Sequence, residues 1–236
     1  MKRHRILVLG TDTGVGKTWV TCALARTLRQ HGHAVVGIKP VETGCSAETL
    51  PTEDGVLIAN ATGQTEPRVA LRRFEPPLAP ILAAGEDEAT LQLDALLTEI
   101  TRYETSADVL LLEGVGGLLS PVTWTWNMTH LARTLDCRVV LVGLDRLGIV
   151  NHVLLSVREL ERCQLDLAAV VLNAPATTDA STGRNTYAIQ KSTGYSQVID
   201  MPRNQRDFPI GIRTLGLETP EQSQRSSRPR LRPITS

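Results

Sequence analysis

The stretch Gly10-Thr11-Asp12-Thr13-Gly14-Val15-Gly16-Lys17-Thr18 decides the fold expected of this chain. It follows the apolar run 6–9 and opens a segment with helical apolar spacing, which predicts strand, turn and helix in succession. In such a turn, backbone N–H groups close around a phosphate at a helix N-terminus. Lys17 would reach the outer phosphates, and the Thr18 hydroxyl would bind Mg²⁺. The alternative is a glycine-rich turn that binds nothing.

The loop is one residue longer than the usual phosphate-binding pattern. Five residues separate Gly10 from Gly16, where that pattern has four. We interpret this as a variant in which Gly14 supplies additional backbone freedom.

Two further stretches follow predicted strands. Lys39-Pro40-Val41-Glu42-Thr43-Gly44 comes after the strand 34–38, and Glu113-Gly114-Val115-Gly116-Gly117 ends the apolar run 109–112. Ligands of open α/β sheets collect beyond the carboxyl ends of strands, so both stretches are candidate site elements. Lysine is rare in this chain, with only four against twenty-one arginines, yet Lys17 and Lys39 both lie at strand ends. Lys39 could instead be an exposed loop cation, and the glycines a flexible turn.

Strands and helices alternate along the chain, which predicts a central, mostly parallel sheet covered by helices on both faces. Helices are expected over 53–59, 89–103, 129–135, 150–163 and 185–193, and strands over 138–144, 167–172 and 197–199. The proline-rich stretch 65–84 is expected to be a loop. Residues 1–218 are predicted to form a single domain, and the Arg-, Ser- and Pro-rich segment 219–236 to be a disordered tail.

Composition narrows the class of protein. The formal net charge of zero argues against a nucleic-acid or anionic membrane partner, and apolar runs are strand-sized rather than bilayer-spanning. The four cysteines show no paired spacing, which is typical of reduced thiols in a cytoplasmic protein. The five histidines are scattered, so a zinc site is not expected.

Four spaced motifs together resemble the dethiobiotin synthetase family. They are Gly10 to Thr18, Lys39 to Gly44, Glu113 to Gly117 and Leu147-Gly-Ile-Val-Asn-His. The resemblance implies a phosphate-loop ATP-binding fold and an enzyme that uses MgATP and CO2 to close a ureido ring on 7,8-diaminopelargonate, giving dethiobiotin, ADP and phosphate. It also implies a homodimer with active sites near the subunit interface.

The resemblance also implies site residues. Lys39 would contact the carbamate and the transferring phosphoryl group, and Lys17 would offset charge on the phosphate oxygens. Mg²⁺ would be held by Thr18, Asp54 and Glu113, although Asp54 taken alone reads as an ordinary helix-dipole partner. The implied diamine and partner-subunit site consists of Thr13, Thr43, Gly117, Gly148, Val150 and Asn151. The implied nucleotide-binding set consists of Gly14, Val15, Gly16, Lys17, Thr18, Trp19, Glu113, Gly114, Val115, Gly116, Asn173 and Pro202.

Two alternatives share the nucleotide-binding core. A related ATP-dependent amide synthase would need a glutaminase domain, for which there is no space after Pro202. A ParA-like regulatory ATPase would carry an additional lysine early in the phosphate loop, where this chain has Thr11-Asp12-Thr13.

Overall fold

The computed structural model describes residues 3–105, 107–209 and 215–217. Its strands are β1 (His4–Gly10), β2 (Val35–Ile38), β3 (Val41–Thr43), β4 (Arg72–Phe74), β5 (Val109–Glu113), β6 (Arg138–Leu144), β7 (Leu167–Asn173) and β8 (Val198–Met201). Six of them form one sheet in the order β2-β5-β1-β6-β7-β8, and all neighbouring pairs are parallel. The predicted parallel sheet is confirmed. The predicted tail 219–236 lies outside the described residues.

Helices flank this sheet. They are α1 (Lys17–Gln30), α2 (Asp54–Thr62), α3 (Pro80–Ala84), α4 (Leu93–Glu104), α5 (Met128–Thr134), α6 (Ile149–Arg162) and α7 (Asn185–Thr193), with 3₁₀ turns at Leu50–Thr52 and Gly85–Leu91. The helix expected over 89–103 therefore begins four residues later, because the chain from Gly85 to Leu91 forms a tighter 3₁₀ turn first.

Alternate residues of each strand point to opposite faces of the sheet and pack into two separate hydrophobic cores. In β1, Ile6 and Val8 pack with α1 and α2, whereas Leu7 and Leu9 pack with α4, α5 and α6 on the other face. The side chains of the two cores are mostly aliphatic, as a chain with 3% aromatic residues requires. Each fully buried Leu, Ile or Val contributes about 1.5–3 kcal/mol. The sheet is thus covered by a packed core on each face. The loops at the carboxyl ends of its strands are therefore anchored to a rigid support.

The expectation of a loop over 65–84 is wrong in part. Residues Arg72–Phe74 form β4, which pairs in parallel with β3, and Pro80 begins the short helix α3. Proline fits this position because the first helical residue has no intrahelical partner for an N–H. The β3–β4 pair fixes the chain immediately after Lys39, where the sequence alone suggested a loop.

The two tryptophans of the hairpin around 121–127 differ in their surroundings. Trp126 is buried and its Nε1 donates a hydrogen bond to the carbonyl of Leu91 at 3.0 Å, whereas Trp124 is 71% exposed. All four cysteines are free thiols. Among the helices described, none has both the length and the apolar character needed to cross a membrane.

Candidate active site

A cavity of about 280 Å³ opens at the carboxyl edge of the sheet, beside the N-terminus of α1. It brings together residues from all three predicted site stretches and from the start of α2. The residues lining it are Thr13, Gly14, Gly16, Lys17, Thr18, Lys39, Glu42, Thr43, Asp54, Val115 and Gly116. Ten of these eleven belong to the site residues predicted from the motifs or implied by the resemblance; Glu42 lies within the predicted stretch Lys39 to Gly44 but had no role assigned to it.

One side of the cavity, here called the loop end, consists of Gly14, Gly16 and Lys17. Gly14 and Gly16 have φ angles of 71° and 89°, in the left-handed region that favours glycine. Gly16 precedes the first residue of α1, and no side chain caps that helix. The free N–H groups of its first turn are therefore available to an anion.

Lys17 lies across the loop end. Its ammonium donates to the carbonyls of Asp12 at 3.1 Å and Gly116 at 2.8 Å, and no salt bridge to it is found within the described residues. Burial, and then the positive charge of Lys39, lower the pKa of Lys17 to about 8. This lysine is cationic at neutral pH but has no anionic partner in contact, which suits it to receive one.

The opposite side, here called the carboxylate end, consists of Thr18, Lys39, Asp54 and Glu113. The Lys39 ammonium lies 2.7 Å from Asp54 Oδ2 and 2.7 Å from Glu113 Oε1. The Thr18 hydroxyl contacts the same two carboxylates, at 2.6 Å and 2.9 Å respectively. Glu113 is fully buried, at the end of β5, which lies between β2 and β1 in the sheet.

The pKa values at the carboxylate end follow from burial and mutual charge. Burial alone would lower the pKa of Lys39, but the charges of Glu113 and Asp54 outweigh it and raise that pKa. For Asp54, the charge and hydrogen bond of Lys39 outweigh burial, so its pKa is lowered. Burial raises the pKa of Glu113, although Lys39 opposes the shift. Lys39 is therefore held as a cation between two acids.

Glu42 is the cavity residue whose role the sequence analysis did not identify. Its carboxylate accepts the backbone N–H of Asp54 at 2.5 Å and that of Gly55 at 3.0 Å, so it caps α2 from another part of the chain. The available signal was Glu53 before the helix, because Glu is not among the favoured N-cap residues, and in the structure its side chain makes no capping hydrogen bond. Unpaired N–H groups at a helix start require an acceptor.

Several predicted residues do not line this cavity. The side-chain amide of Asn173 donates a hydrogen bond through Nδ2 to the carbonyl of Val15 at 3.2 Å. This amide lies against Gly16, and a Cβ added to Gly16 would be 1.9 Å from Nδ2. Gly117 instead lines a neighbouring cleft of about 430 Å³. The remaining members are Val15 in the glycine loop, Trp19 on α1, Glu113 and Gly114 at the end of β5, Gly148, Val150 and Asn151 at the start of α6, and Pro202 after β8.

Solved structures share this fold. The signal recognition particle receptor FtsY from Elizabethkingia anophelis matches with a TM-score of 0.50 and 17% identity, covering 91% of this chain and 65% of FtsY. The septum site-determining protein MinD from Pyrococcus horikoshii, solved with Mg-ADP, matches with a TM-score of 0.50 and 15% identity, covering 80% of this chain and 77% of MinD. At these identities the similarity concerns the fold alone.

Sequence relatives are more specific. A family described as an AAA domain matches residues 4–206. The ATP-dependent dethiobiotin synthetase BioD of Aquifex aeolicus is 36% identical over 211 residues, which cover 89% of this chain and 94% of that protein. The protein of the same name from Nitrosospira multiformis is 37% identical over 168 residues, which cover 70% of this chain and 74% of that protein.

The parallel sheet, the glycine loop and the cavity at the start of α1 define a P-loop nucleotide-binding protein. Within that class, the identity and coverage of the dethiobiotin synthetase relatives determine the family. The chain belongs to the ATP-dependent dethiobiotin synthetase family, whose members are ligases, and the resemblance drawn from the four motifs is confirmed.

Proposed function

We propose that this chain converts 7,8-diaminopelargonate, CO2 and ATP to dethiobiotin, ADP and phosphate. The observation that carries the proposal is the convergence of Lys17 and Lys39 on one cavity beside an uncapped helix N-terminus. One amine of the substrate adds to CO2 and loses a proton to give a carbamate. A carbamate oxygen takes the γ-phosphoryl group as ADP leaves. The second amine then attacks the carbamate carbon, loses a proton, and releases phosphate as the ring closes.

The two lysines act on different groups during these reaction steps. The loop end would hold the nucleotide phosphates through the backbone of Gly14 to Thr18, with Lys17 offsetting charge on their oxygens. Lys39, from the carboxylate end, would contact the carbamate and the transferring phosphoryl group. Fixed positive charge where negative charge develops is the main way in which a protein accelerates such transfers.

The carboxylate end fits Mg²⁺. Thr18, Asp54 and Glu113 offer a hydroxyl and two carboxylates, the hard oxygen donors that Mg²⁺ prefers. Glu113 Oε2 is buried and has no hydrogen-bond partner among the described residues, so it retains an acceptor position for a cation. When bound there, Mg²⁺ would neutralise charge on the phosphate oxygens.

The diamine is proposed to bind next to the cavity, where Thr13 and Thr43 provide hydroxyl groups. Gly117 adjoins the 430 Å³ cleft, whose wall includes Leu118, Leu119 and Leu155 and would accept an alkyl chain. Asn173 and Pro202 are proposed to lie near the adenine base.

A homodimer is proposed because the start of α6 does not reach the cavity of its own chain. Gly148, Val150 and Asn151 would offer that helix N-terminus to the substrate carboxylate bound by a partner subunit. The neighbouring side chain of Leu147 is 81% exposed, which supports an apolar contact on this face. The free thiols support a cytoplasmic location.

A product assay tests the proposal. Purified protein is incubated with MgATP, bicarbonate and 7,8-diaminopelargonate, and dethiobiotin, ADP and phosphate are followed by mass spectrometry. The expected result is dethiobiotin in equal amount to ADP. ATP hydrolysis without dethiobiotin, by folded and nucleotide-bound protein, would contradict the proposal and favour a regulatory ATPase or a related synthase.

A further inference from the structure

The ammonium of Lys39 lies within the set of oxygen atoms that the proposed function assigns to Mg²⁺. It is 2.7 Å from an oxygen of Asp54 and 2.7 Å from an oxygen of Glu113. The hydroxyl of Thr18, the third proposed ligand, is within hydrogen-bond distance of Glu113 Oε1, which Lys39 also contacts, and of Asp54 Oδ1, whereas Lys39 contacts Asp54 Oδ2. The four side chains form one closed network, and the lysine is its only cation among the described residues.

A cation bound directly to both Asp54 Oδ2 and Glu113 Oε1 would need the position that the Lys39 ammonium takes. An ammonium at hydrogen-bond distance occupies the position between the two carboxylates, and Mg²⁺ approaches its ligands still closer, to about 2.0–2.1 Å. Lys39 is 3% exposed and Glu113 is fully buried, so water does not separate these charges. Glu113 is fully buried whereas Asp54 is 33% exposed, so it is the Glu113 carboxylate that would be strongly destabilising without a counter-ion.

We propose that Lys39 is the resident cation of the metal site, and that it leaves Asp54 and Glu113 when a divalent cation binds. This inference rests on the proposed function, because that function assigns the carboxylates to the metal. The lysine side chain begins at the end of β2 and its ammonium already borders the 280 Å³ cavity. Once displaced, the ammonium can enter this cavity.

The exchange would couple metal binding to the position of a catalytic group. In its present position the ammonium donates to Asp54, to Glu113 and to the Gly114 carbonyl at 3.1 Å, so none of its three donors is free for a carbamate. Displacement frees its three donors on the side where Thr13 and Thr43 lie. The lysine is therefore delivered to the substrate only in protein that carries metal, which would keep the site inactive towards nucleotide bound without it.

Comparison of two variants tests the exchange without an activity assay. Lys39→Met and Lys17→Met each remove one positive charge from the same cavity, but only Lys39 touches the carboxylates. Binding of Mn²⁺ alone is measured by electron paramagnetic resonance in nucleotide-free protein. Lys39→Met is expected to bind Mn²⁺ at least tenfold more tightly than the wild type, and Lys17→Met no more than about threefold. Equal affinities of the two variants would overturn the exchange while leaving the proposed metal site intact.

A measurement on the wild-type protein covers the case in which Lys39→Met does not fold. Acetylation of each lysine by acetic anhydride is quantified by peptide mass spectrometry, with Lys191 on α7 as the internal reference. Saturating Mn²⁺ is expected to increase the labelling of Lys39 relative to Lys191 at least threefold. Unchanged labelling in protein that has bound Mn²⁺ would overturn the exchange. Failure of every variant to bind Mn²⁺, even with ADP, would overturn the proposed metal site and the exchange together.

Discussion

The two ends of the active-site cavity place the same residue type in opposite electrostatic settings. At the carboxylate end, Lys39 contacts two acids and its pKa is raised against the effect of burial. At the loop end, Lys17 contacts two backbone carbonyls, and burial lowers its pKa to about 8. The partner atoms, rather than burial, thus decide that Lys39 is held in ion pairs and that Lys17 is available to bind an anion. The carboxylate end is built from side chains that are far apart in the sequence, on α1, after β2, on α2 and on β5, whereas the loop end is one continuous segment.

The largest effect is expected from Lys39→Ala, which removes the only cation of the carboxylate end among the described residues. Turnover to dethiobiotin should fall by about 10³-fold, because charge stabilisation of the transferring group is lost. The affinity for metal-free ADP should stay within about threefold of the wild type, since the loop end is intact. Steady-state kinetics and calorimetry check both. Unchanged turnover would remove Lys39 from its proposed role, and weak ADP binding would show that the two ends are not separable.

Gly16→Ala tests the loop end through its backbone. The substitution should cost about 1–2 kcal/mol for a left-handed backbone, plus about 1–3 kcal/mol because the new Cβ displaces the Asn173 amide. ADP binding should weaken as well. Gly14→Ala is the matched control, because its φ is also positive but nothing lies within 4 Å of the added carbon. Urea unfolding measures both, and equal losses of stability would contradict the assigned contact with Asn173.

The pKa of Lys17 predicts how nucleotide affinity depends on pH. Phosphates bind the protonated lysine, so the Kd for metal-free ADP should be constant below pH 8. It should rise above pH 8 by up to tenfold per pH unit, because binding must then take up a proton. Lys39 should not contribute to this change, since its pKa is raised. Lys17→Arg, which stays charged, should abolish the slope. A flat wild-type profile between pH 7 and 9.5 would contradict the lowered pKa.

The smallest effect is expected from Glu42→Ala, which acts on the carboxylate end through the start of α2. Loss of the two hydrogen bonds to the start of α2 should lower the free energy of unfolding by about 1 kcal/mol, as for other helix caps. Glu48→Ala, at an exposed position, should change it by less than about 0.5 kcal/mol. Thermal unfolding checks the pair, and a loss no greater than that of the control would show that α2 is capped in another way.

The loop end could be predicted from the sequence because its information is local. The spacing of Gly16, Lys17 and Thr18 after an apolar run specifies a strand, a turn and a helix within one continuous segment. Lys39 was found by its rarity and its position at a strand end. Asp54 needed the family resemblance, because its place at a helix start is explained equally well by the helix dipole.

The remaining features depend on residues far apart in the chain. The role of Glu42 rests on hydrogen bonds to Asp54 and Gly55, and the β3–β4 pair joins Val41 to Arg72. The Trp126 indole reaches a carbonyl 35 positions away. Periodicity and propensity describe neighbours along the chain, so they cannot reveal such contacts. For the same reason the stretch 65–84, read from its prolines alone, was expected to be a loop.

The order of the strands has a consequence for synthesis on the ribosome. β1 carries the start of the phosphate loop and lies between β5 and β6, so both of its partners are made long after it. About 100 residues separate the end of β1 from the end of β5, which takes roughly 5–20 s at about 5–20 residues per second. During that interval the backbone hydrogen-bonding groups of β1 have no neighbouring strand to pair with, and its aliphatic side chains are not yet covered by the sheet. The strand at the centre of the finished enzyme is therefore the one that most needs protection from aggregation while the chain is being made.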